Sequence, residues 1–306
     1  MNHSSTFRLS SDIIESSRCV LCGNSRARIL REVPARKNVY YHLRCTQCGL
    51  IYGHPIDRLS IQERDVFNTQ TWEAHKFNRG KFLQELEAFR DTFRRQLSAI
   101  EKYCGKGPLL EVGPGLGLFL KVASEEGWES CGVDVSGEAA AFVTDVVGVP
   151  CYHGMIESIH LPHDHFHAVR LRHVLEHQED PFEFLRHIFC LLTSGGMVLI
   201  DVPNALGTYY TLKTLLSPLS GKKTRYLPLS LPGEHLFAFT PSTLRVMVEK
   251  AGFKVLRLKT VCLREKSYFP IRRFSTWREL HLHLCDRLGK PINLGSIIML
   301  CAQKKA

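Results

Sequence analysis

Leu109-Leu110-Glu111-Val112-Gly113-Pro114-Gly115-Leu116-Gly117 is the stretch on which the reading of the fold turns. An apolar run stops at a glycine-rich turn and leads into a helical stretch, Leu118 to Glu126. Gly113 and Gly115 let the backbone approach a ligand at the carboxyl end of the strand, and Gly117 permits close packing of the helix. Downstream, Cys131-Gly132-Val133-Asp134 reads as a second strand, whose terminal acid lies 19 residues beyond Gly115. A carboxylate there can accept hydrogen bonds from both ribose hydroxyls of an adenosine-bearing cofactor.

A dinucleotide-binding fold shares this geometry, so the details of the turn matter. It reads Glu-x-Gly-x-Gly-x-Gly, which brings the third glycine one residue earlier than in Gly-x-Gly-x-x-Gly. Glu111 stands on the strand before the turn. There it could organise a loop facing a cationic amino-acid moiety, or serve as a buried hydrogen-bond partner of the loop. Both features favour S-adenosylmethionine (SAM) over a nicotinamide dinucleotide.

Working outward, residues 59–104 read as a helical bridge. Phe82, Leu86, Phe89, Phe93, Leu97 and Ile100 recur at spacings of three or four, which is one apolar stripe of an amphipathic helix. Beyond the glycine turn, Val149–Tyr152 and Phe166–Leu171 read as third and fourth strands. Phe253–Val261 and Ser296–Gln303 read as a β-rich pair. Two insertions, 206–231 and 263–294, interrupt the 105–306 domain. The first mixes apolar residues with Lys222-Lys223-Thr224-Arg225, which suits a helical hairpin over the core or a lid for a phosphorylated or lipid-linked acceptor.

Residues 1–58 carry a different signal. Cys19-Val-Leu-Cys22-Gly23 and Cys45-Thr-Gln-Cys48-Gly49 repeat one pattern with 22 residues between them. A Cys-x-x-Cys turn sets two thiolates on one side of a tight loop, and two such turns supply four tetrahedral sulfur ligands. Cys19, Cys22, Cys45 and Cys48 are therefore the expected ligands of a structural Zn²⁺, with no coordination position open to substrate. Val39 to Arg44 reads as a strand entering the second knuckle. The remaining cysteines of the eleven have no framework spacing, which argues for reduced thiols. No long apolar run and no apolar signal core occur, so a cytoplasmic location without a transmembrane segment is expected.

With these motifs in place, Leu109–Leu120, Val133-Asp134, Val174-Leu175-Glu176-His177-x-x-Asp180-Pro181, Leu191-Leu192-x-x-Gly195-Gly196 and Asp201-Val202-Pro203-Asn204 resemble the successive motifs of class I SAM-dependent methyltransferases. The double Cys-x-x-Cys start and His235-Leu236-x-x-Phe239-Thr240-Pro241 make the chain similar to the bacterial zinc-ribbon group, which includes sugar C-methyltransferases. The resemblance implies an α/β Rossmann-like fold: a mostly parallel seven-stranded sheet with a terminal antiparallel strand, plus a small N-terminal ribbon. It also implies roles. Gly113 and Gly115 would line the methionine moiety of SAM, Asp134 would bind the ribose, and Gly154-Met155-Ile156 would flank adenine. Arg172 and His173 would lie near the sulfonium end, and Glu111, Gly117 and Val135 complete the cofactor-lining set. His167 departs from the usual Asp, at the start of a strand where packing alone should feel it.

Methyl transfer from SAM mainly requires alignment and, for hydroxyl or carbon acceptors, removal of a proton. His235 is the expected base. It precedes a helix start with Thr240 as N-cap and Pro241 at N1, which sets it in a loop above the carboxyl edge of the sheet. Glu234 would orient its imidazole, and in the sugar C-methyltransferases the matching His is the proposed base. His173-x-x-Glu176-His177 matches the inverted zinc-protease string, but it directly follows a strand and is cut by Asp180-Pro181. Holding a second divalent metal, or positioning SAM and acceptor, remain open for it.

The net charge of +10 is concentrated in residues 1–60, 206–230 and 251–306, around a net acidic centre. Peripheral Lys and Arg suit phosphate on a small-molecule substrate, and they also suit a nucleic acid. A small-molecule methyltransferase is thus the first expectation. An RNA or protein methyltransferase gripping a polymer, or a non-catalytic SAM-binding partner protein, are the alternatives.

Overall fold

Strands buried on both faces read as continuous apolar runs, and a helix lying on a sheet reads as a single stripe. Both patterns recur in the computed structural model, which describes residues 18–34, 39–55, 78–216, 218, 227–229, 235–261 and 294–305. All but the last residue of the insertion 263–294, most of 217–234 including Glu234, and the first part of the bridge lie outside the described residues.

The chain begins with β1 (Ala27–Pro34), β2 (Val39–Cys45) and β3 (Ile51–His54), followed by α1 (Arg79–Cys104). Then come β4 (Pro108–Val112), α2 (Leu118–Glu125), β5 (Glu129–Asp134), α3 (Gly137–Phe142), β6 (Cys151–His153) and β7 (Phe166–Arg172). After these follow α4 (Pro181–Leu191), β8 (Leu192–Pro203), α5 (Thr208–Leu216), β9 (Phe237–Ala238), α6 (Pro241–Lys250), β10 (Phe253–Val261) and β11 (Ile297–Lys304).

The larger sheet has seven strands in the order β10-β11-β8-β7-β4-β5-β6. β5, β4, β7 and β8 pair in parallel, as do β5 and β6. β11 runs antiparallel to both of its neighbours, β8 and β10. This is the Rossmann-like methyltransferase architecture that the sequence implies, with its one reversed strand next to the edge. The chain leaves β4 in one direction, through β5 to β6, and then crosses back to β7 on the other side of β4. That reversal opens a crevice at the carboxyl ends of β4 and β7, where open α/β sheets bind their ligands.

Helix α1 buries Phe82, Leu86, Phe89, Phe93, Leu97 and Ile100, the whole predicted stripe. The Asn78 side chain accepts from Lys81 N at 2.7 Å to start the helix, and Gly105 at φ 67° stops it. Phe93 meets Phe119 of α2 edge-on at 5.4 Å, and Phe82 meets Phe142 of α3 at 6.0 Å. Thr240 caps α6 with a reciprocal capping box and Pro241 follows it, as the sequence predicts.

A smaller antiparallel sheet has the order β1-β2-β3-β9. Its fourth strand comes from far along the chain: Ile51 pairs with Ala238, and Tyr52 with Phe237. One apolar cluster runs from Leu21, Leu43, Leu50 and Tyr52 through Phe237 and Phe239 to Leu175 and Met247. The Lys250 ammonium of α6 also donates to the Leu21 carbonyl at 2.9 Å.

Candidate active site

The turn after β4 takes left-handed backbone at Gly113 (φ 66°) and Gly115 (φ 54°). A Cβ on Gly113 would stand 2.9 Å from Val174 Cγ2, so only a hydrogen fits there. Gly117 is hemmed in by Val143, 2.9 Å from where its Cβ would be, which is the close helix packing expected of it. The Gly115 amide donates to Asp134 Oδ2 at 3.2 Å, and the Ser136 amide to Oδ1 at 2.9 Å. Asp134 therefore turns its carboxylate from the tip of β5 toward the glycine loop. Gly154 donates to the Asp134 carbonyl at 2.8 Å, which sets the half-buried Met155 beside the same strand end, and Val135 follows directly in the turn. A cradle that a Cβ would fill, facing a carboxylate tied to the loop, fits an adenosyl cofactor.

Glu111 goes elsewhere. It is buried beneath the loop in an ion pair with Arg170, whose guanidinium lies 4.1 Å from the Phe119 ring centroid and 5.2 Å from that of Phe93. Burial pushes the Glu111 carboxyl upward, and the Arg170 charge and hydrogen bond pull it back. Arg172 sends its guanidinium to Phe89 of α1, 5.7 Å from the ring centroid. In the parallel register it stands opposite Asp201, whose carboxyl feels the charges of Arg170 and Arg172. His167 presses on Gly107, where a Cβ would meet its Nδ1 at 2.7 Å, a packing role at the strand's start.

Immediately after β7 the chain turns sharply. His173 has φ 55°, its amide donates to the Asp201 carbonyl at 2.9 Å, and its Nδ1 lies 3.1 Å from Glu176 Oε1. A single 3₁₀ turn, Leu175–His177, then carries Glu176 and His177. His235 joins them from the segment before β9. Its ring centroid is 4.7 Å from that of His177 in an edge-on arrangement, and its Nδ1 is 2.9 Å from the Pro228 carbonyl. Because a carbonyl only accepts, Nδ1 is the donor in this contact. Glu176, His177 and His235 bring one donor atom each within 4.8 Å of one another. Two backbone bonds hold this meeting: Leu236 N–H to the Glu176 carbonyl, and Gly53 N–H of β3 to the Leu236 carbonyl, both 2.8 Å. Val174 ties the cluster to the glycine loop through its contact with Gly113.

Sequence reasoning places His235 above the sheet edge and singles out His173-x-x-Glu176-His177, but it does not join the two. Nothing local signals that the turn bearing Glu176 meets a segment so much later in the chain. Glu234, the expected orienting residue, lies outside the described residues.

At the opposite end of the ribbon sheet, the four cysteine sulfurs cluster within 4.8 Å of one another. Cys19 Sγ is 3.5 Å from Cys48 Sγ, and Cys22 Sγ is 3.5 Å from Cys45 Sγ. The Gly23 and Gly49 amides close the two turns onto the carbonyls of Cys19 and Cys45. Burial pushes the Cys19 thiol up to about 11. At Cys45 burial acts in the same sense, but the amides of Cys48 and Gln47 and the Asn24 side chain overcome it and bring the thiol down to about 6. This donor set, four converging sulfurs with amides aimed at them, fits Zn²⁺.

The sequence matches the methyltransferase domain family over residues 79–258. No curated protein matches it. Solved structures with a similar fold include a SAM-dependent methyltransferase from Archaeoglobus fulgidus, at 20% identity and TM-score 0.49, covering 78% of this chain and 98% of that one. Another is an S-adenosylmethionine-dependent methyltransferase from Mesorhizobium loti, at 16% identity and TM-score 0.47, covering 70% and 98%. The chain belongs to the methyltransferase domain family and is a SAM-dependent methyltransferase.

Proposed function

We propose that the enzyme methylates a small hydroxylated metabolite of the sugar or nucleotide-sugar kind, with His235 removing the acceptor's proton. The observation that carries this reading is the meeting of His235 with Glu176 and His177, one donor atom of each within 4.8 Å of the others. The contact of its Nδ1 with the Pro228 carbonyl, at 2.9 Å, supports a held orientation of the ring. The closeness of Val174, the residue before the turn that bears Glu176, to Gly113 supports one site shared by cofactor and base. Bound SAM supplies a methyl group on a sulfonium already activated for displacement. Gly113 and Gly115 would admit its amino-acid portion, Asp134 and Val135 would hold the ribose, and Met155 would flank the adenine. His173 stands near the reacting end. Arg172, directed toward α1, would act on the site through the field it shares with Asp201.

In the same reading Cys19, Cys22, Cys45 and Cys48 hold a structural zinc. Four protein sulfurs complete a tetrahedral shell, so the ion would shape the ribbon and take no part in chemistry.

The test uses methyl-labelled SAM, a small-metabolite cell extract and the purified full chain, with labelled products followed by mass spectrometry. His235→Ala should lower turnover by about 10²-fold or more, as for a lost general base, while calorimetry shows SAM affinity unchanged. Undiminished turnover in this variant would remove His235 from the chemistry.

A further inference from the structure

As a base, His235 has company that proton removal requires. When the acceptor's X–H bond breaks, its electron pair stays on the acceptor atom and the proton joins the His235 imidazole. A ring that takes up the proton becomes a cation beside the 3₁₀ turn, half-buried. That cation needs a fixed counter-charge.

Glu176 is 1% exposed. Its Oε1 is paired with His173, while its Oε2 is buried without a hydrogen-bond partner among the described residues. A carboxylate kept out of water with an unspent acceptor is costly unless positive charge arrives beside it. Besides His173 on Oε1, two further imidazoles, His177 and His235, each bring a donor atom within 4.8 Å and can supply that charge. We propose that Glu176 is the positioning residue of the base: it holds the His177–His235 pair and neutralises the imidazolium formed at proton removal. The inference rests on the reading of His235 as base and gives the orienting role expected of Glu234 to a residue on another element.

The surroundings agree. Burial pushes the Glu176 carboxyl up, but the His173 hydrogen bond and the charges of His173, His177 and His235 more than offset it, so the group is held below the usual carboxylate range. Of the elements packed on this turn, β9 offers only Phe237 and Ala238. Strand β8 brings the buried Asp201, whose field acts on His173, and α4 brings its N-cap Asp180, which is occupied by the Phe182 and Glu183 amides. The backbone carbonyl of Glu176 binds Leu236 N–H, so the residue fixes the His235 segment by main chain as well as by charge.

Glu176→Gln keeps the shape and the His173 contact and deletes the charge. With methyl-labelled SAM and the same metabolite extract, turnover should fall on the order of 10-fold or more, SAM affinity should hold, and Glu176→Asp should recover part of the loss. The double variant Glu176→Gln/His235→Ala should be no slower than His235→Ala alone, because Glu176 acts through His235. Losses that multiply in the double variant would overturn the proposal. If Glu176→Gln does not fold, the same cycle run with Glu176→Asp decides it by the same criterion. Turnover that needs added Mg²⁺ or Mn²⁺ and vanishes with EDTA, at constant ribbon zinc, would also overturn it by making the three side chains ligands. An impaired His235→Ala beside a fully active Glu176→Gln would sink this inference alone, whereas a fully active His235→Ala would sink the base reading itself.

Discussion

Gly113 shows how much a single position can carry. Its φ of 66° and the 2.9 Å approach of Val174 Cγ2 leave room for a hydrogen and nothing more. Gly113→Ala would have to move either the loop or the turn that bears Glu176 and His177. SAM affinity measured by calorimetry should therefore weaken by roughly 10-fold, about 1.4 kcal/mol, with a left-handed alanine adding a further cost of order 1 kcal/mol to folding. Wild-type affinity in that variant would mean the loop does not form the cofactor cradle. Gly113, Gly115 and Asp134 were legible in the sequence because their geometry is local: a strand end, a tight turn and an acid at a fixed distance along the chain. Glu111 was legible as important but not in its role. Its partner Arg170 comes from the neighbouring strand, and strand register is not encoded within the few residues around either one. Glu176 was likewise legible as part of a motif but not in its partner, since its relation to His235 exists only after the sheet has formed.

Among the elements, α1 and α6 were readable because a helix writes its stripe and its caps into consecutive residues, as Thr240-Pro241 does. The antiparallel pair β10 and β11 was readable from β-rich composition at the chain's end. β9 was not. Two residues have no periodicity to detect, yet this strand joins the sheets: Phe237 pairs with Tyr52 and Ala238 with Ile51, while the preceding Leu236 is clamped between Gly53 and Glu176. His235 thus sits two residues before a strand whose sheet partner among the described residues is β3 of the cysteine-bearing sheet. Loosening that sheet should loosen His235. Cys45→Ser with Cys48→Ser should abolish the one zinc per chain proposed here and lower turnover by on the order of 10-fold. SAM affinity should change much less, because the glycine loop and Asp134 are built on β4 and β5. A folded, zinc-free variant with full turnover would show that β9 holds His235 without help from the metal.

At the scale of the whole molecule, the sequence divides residues 1–58 from 105–306 by composition and motif, while the apolar core ignores that division. Leu21, Leu43, Leu50 and Tyr52 share one buried cluster with Phe237, Leu244, Met247 and Ile188. A knuckle pair on about 40 residues has too little apolar surface to fold unaided and usually depends on metal. Here it gains a wall made of β9 and α6, reinforced by Lys250 on the Leu21 carbonyl. The converse also holds, since removing the ribbon would uncover Leu236, Phe237 and Met247, each at most 5% exposed in the intact chain. Neither part can then melt while leaving the other in its native surroundings. Calorimetric unfolding should show a single transition whose calorimetric and van't Hoff enthalpies agree, and a zinc chelator should move the midpoint of that one transition downward by linkage. Two transitions, with the chelator shifting only the earlier, would mean that the ribbon is an appendage and that its hold on His235 is incidental.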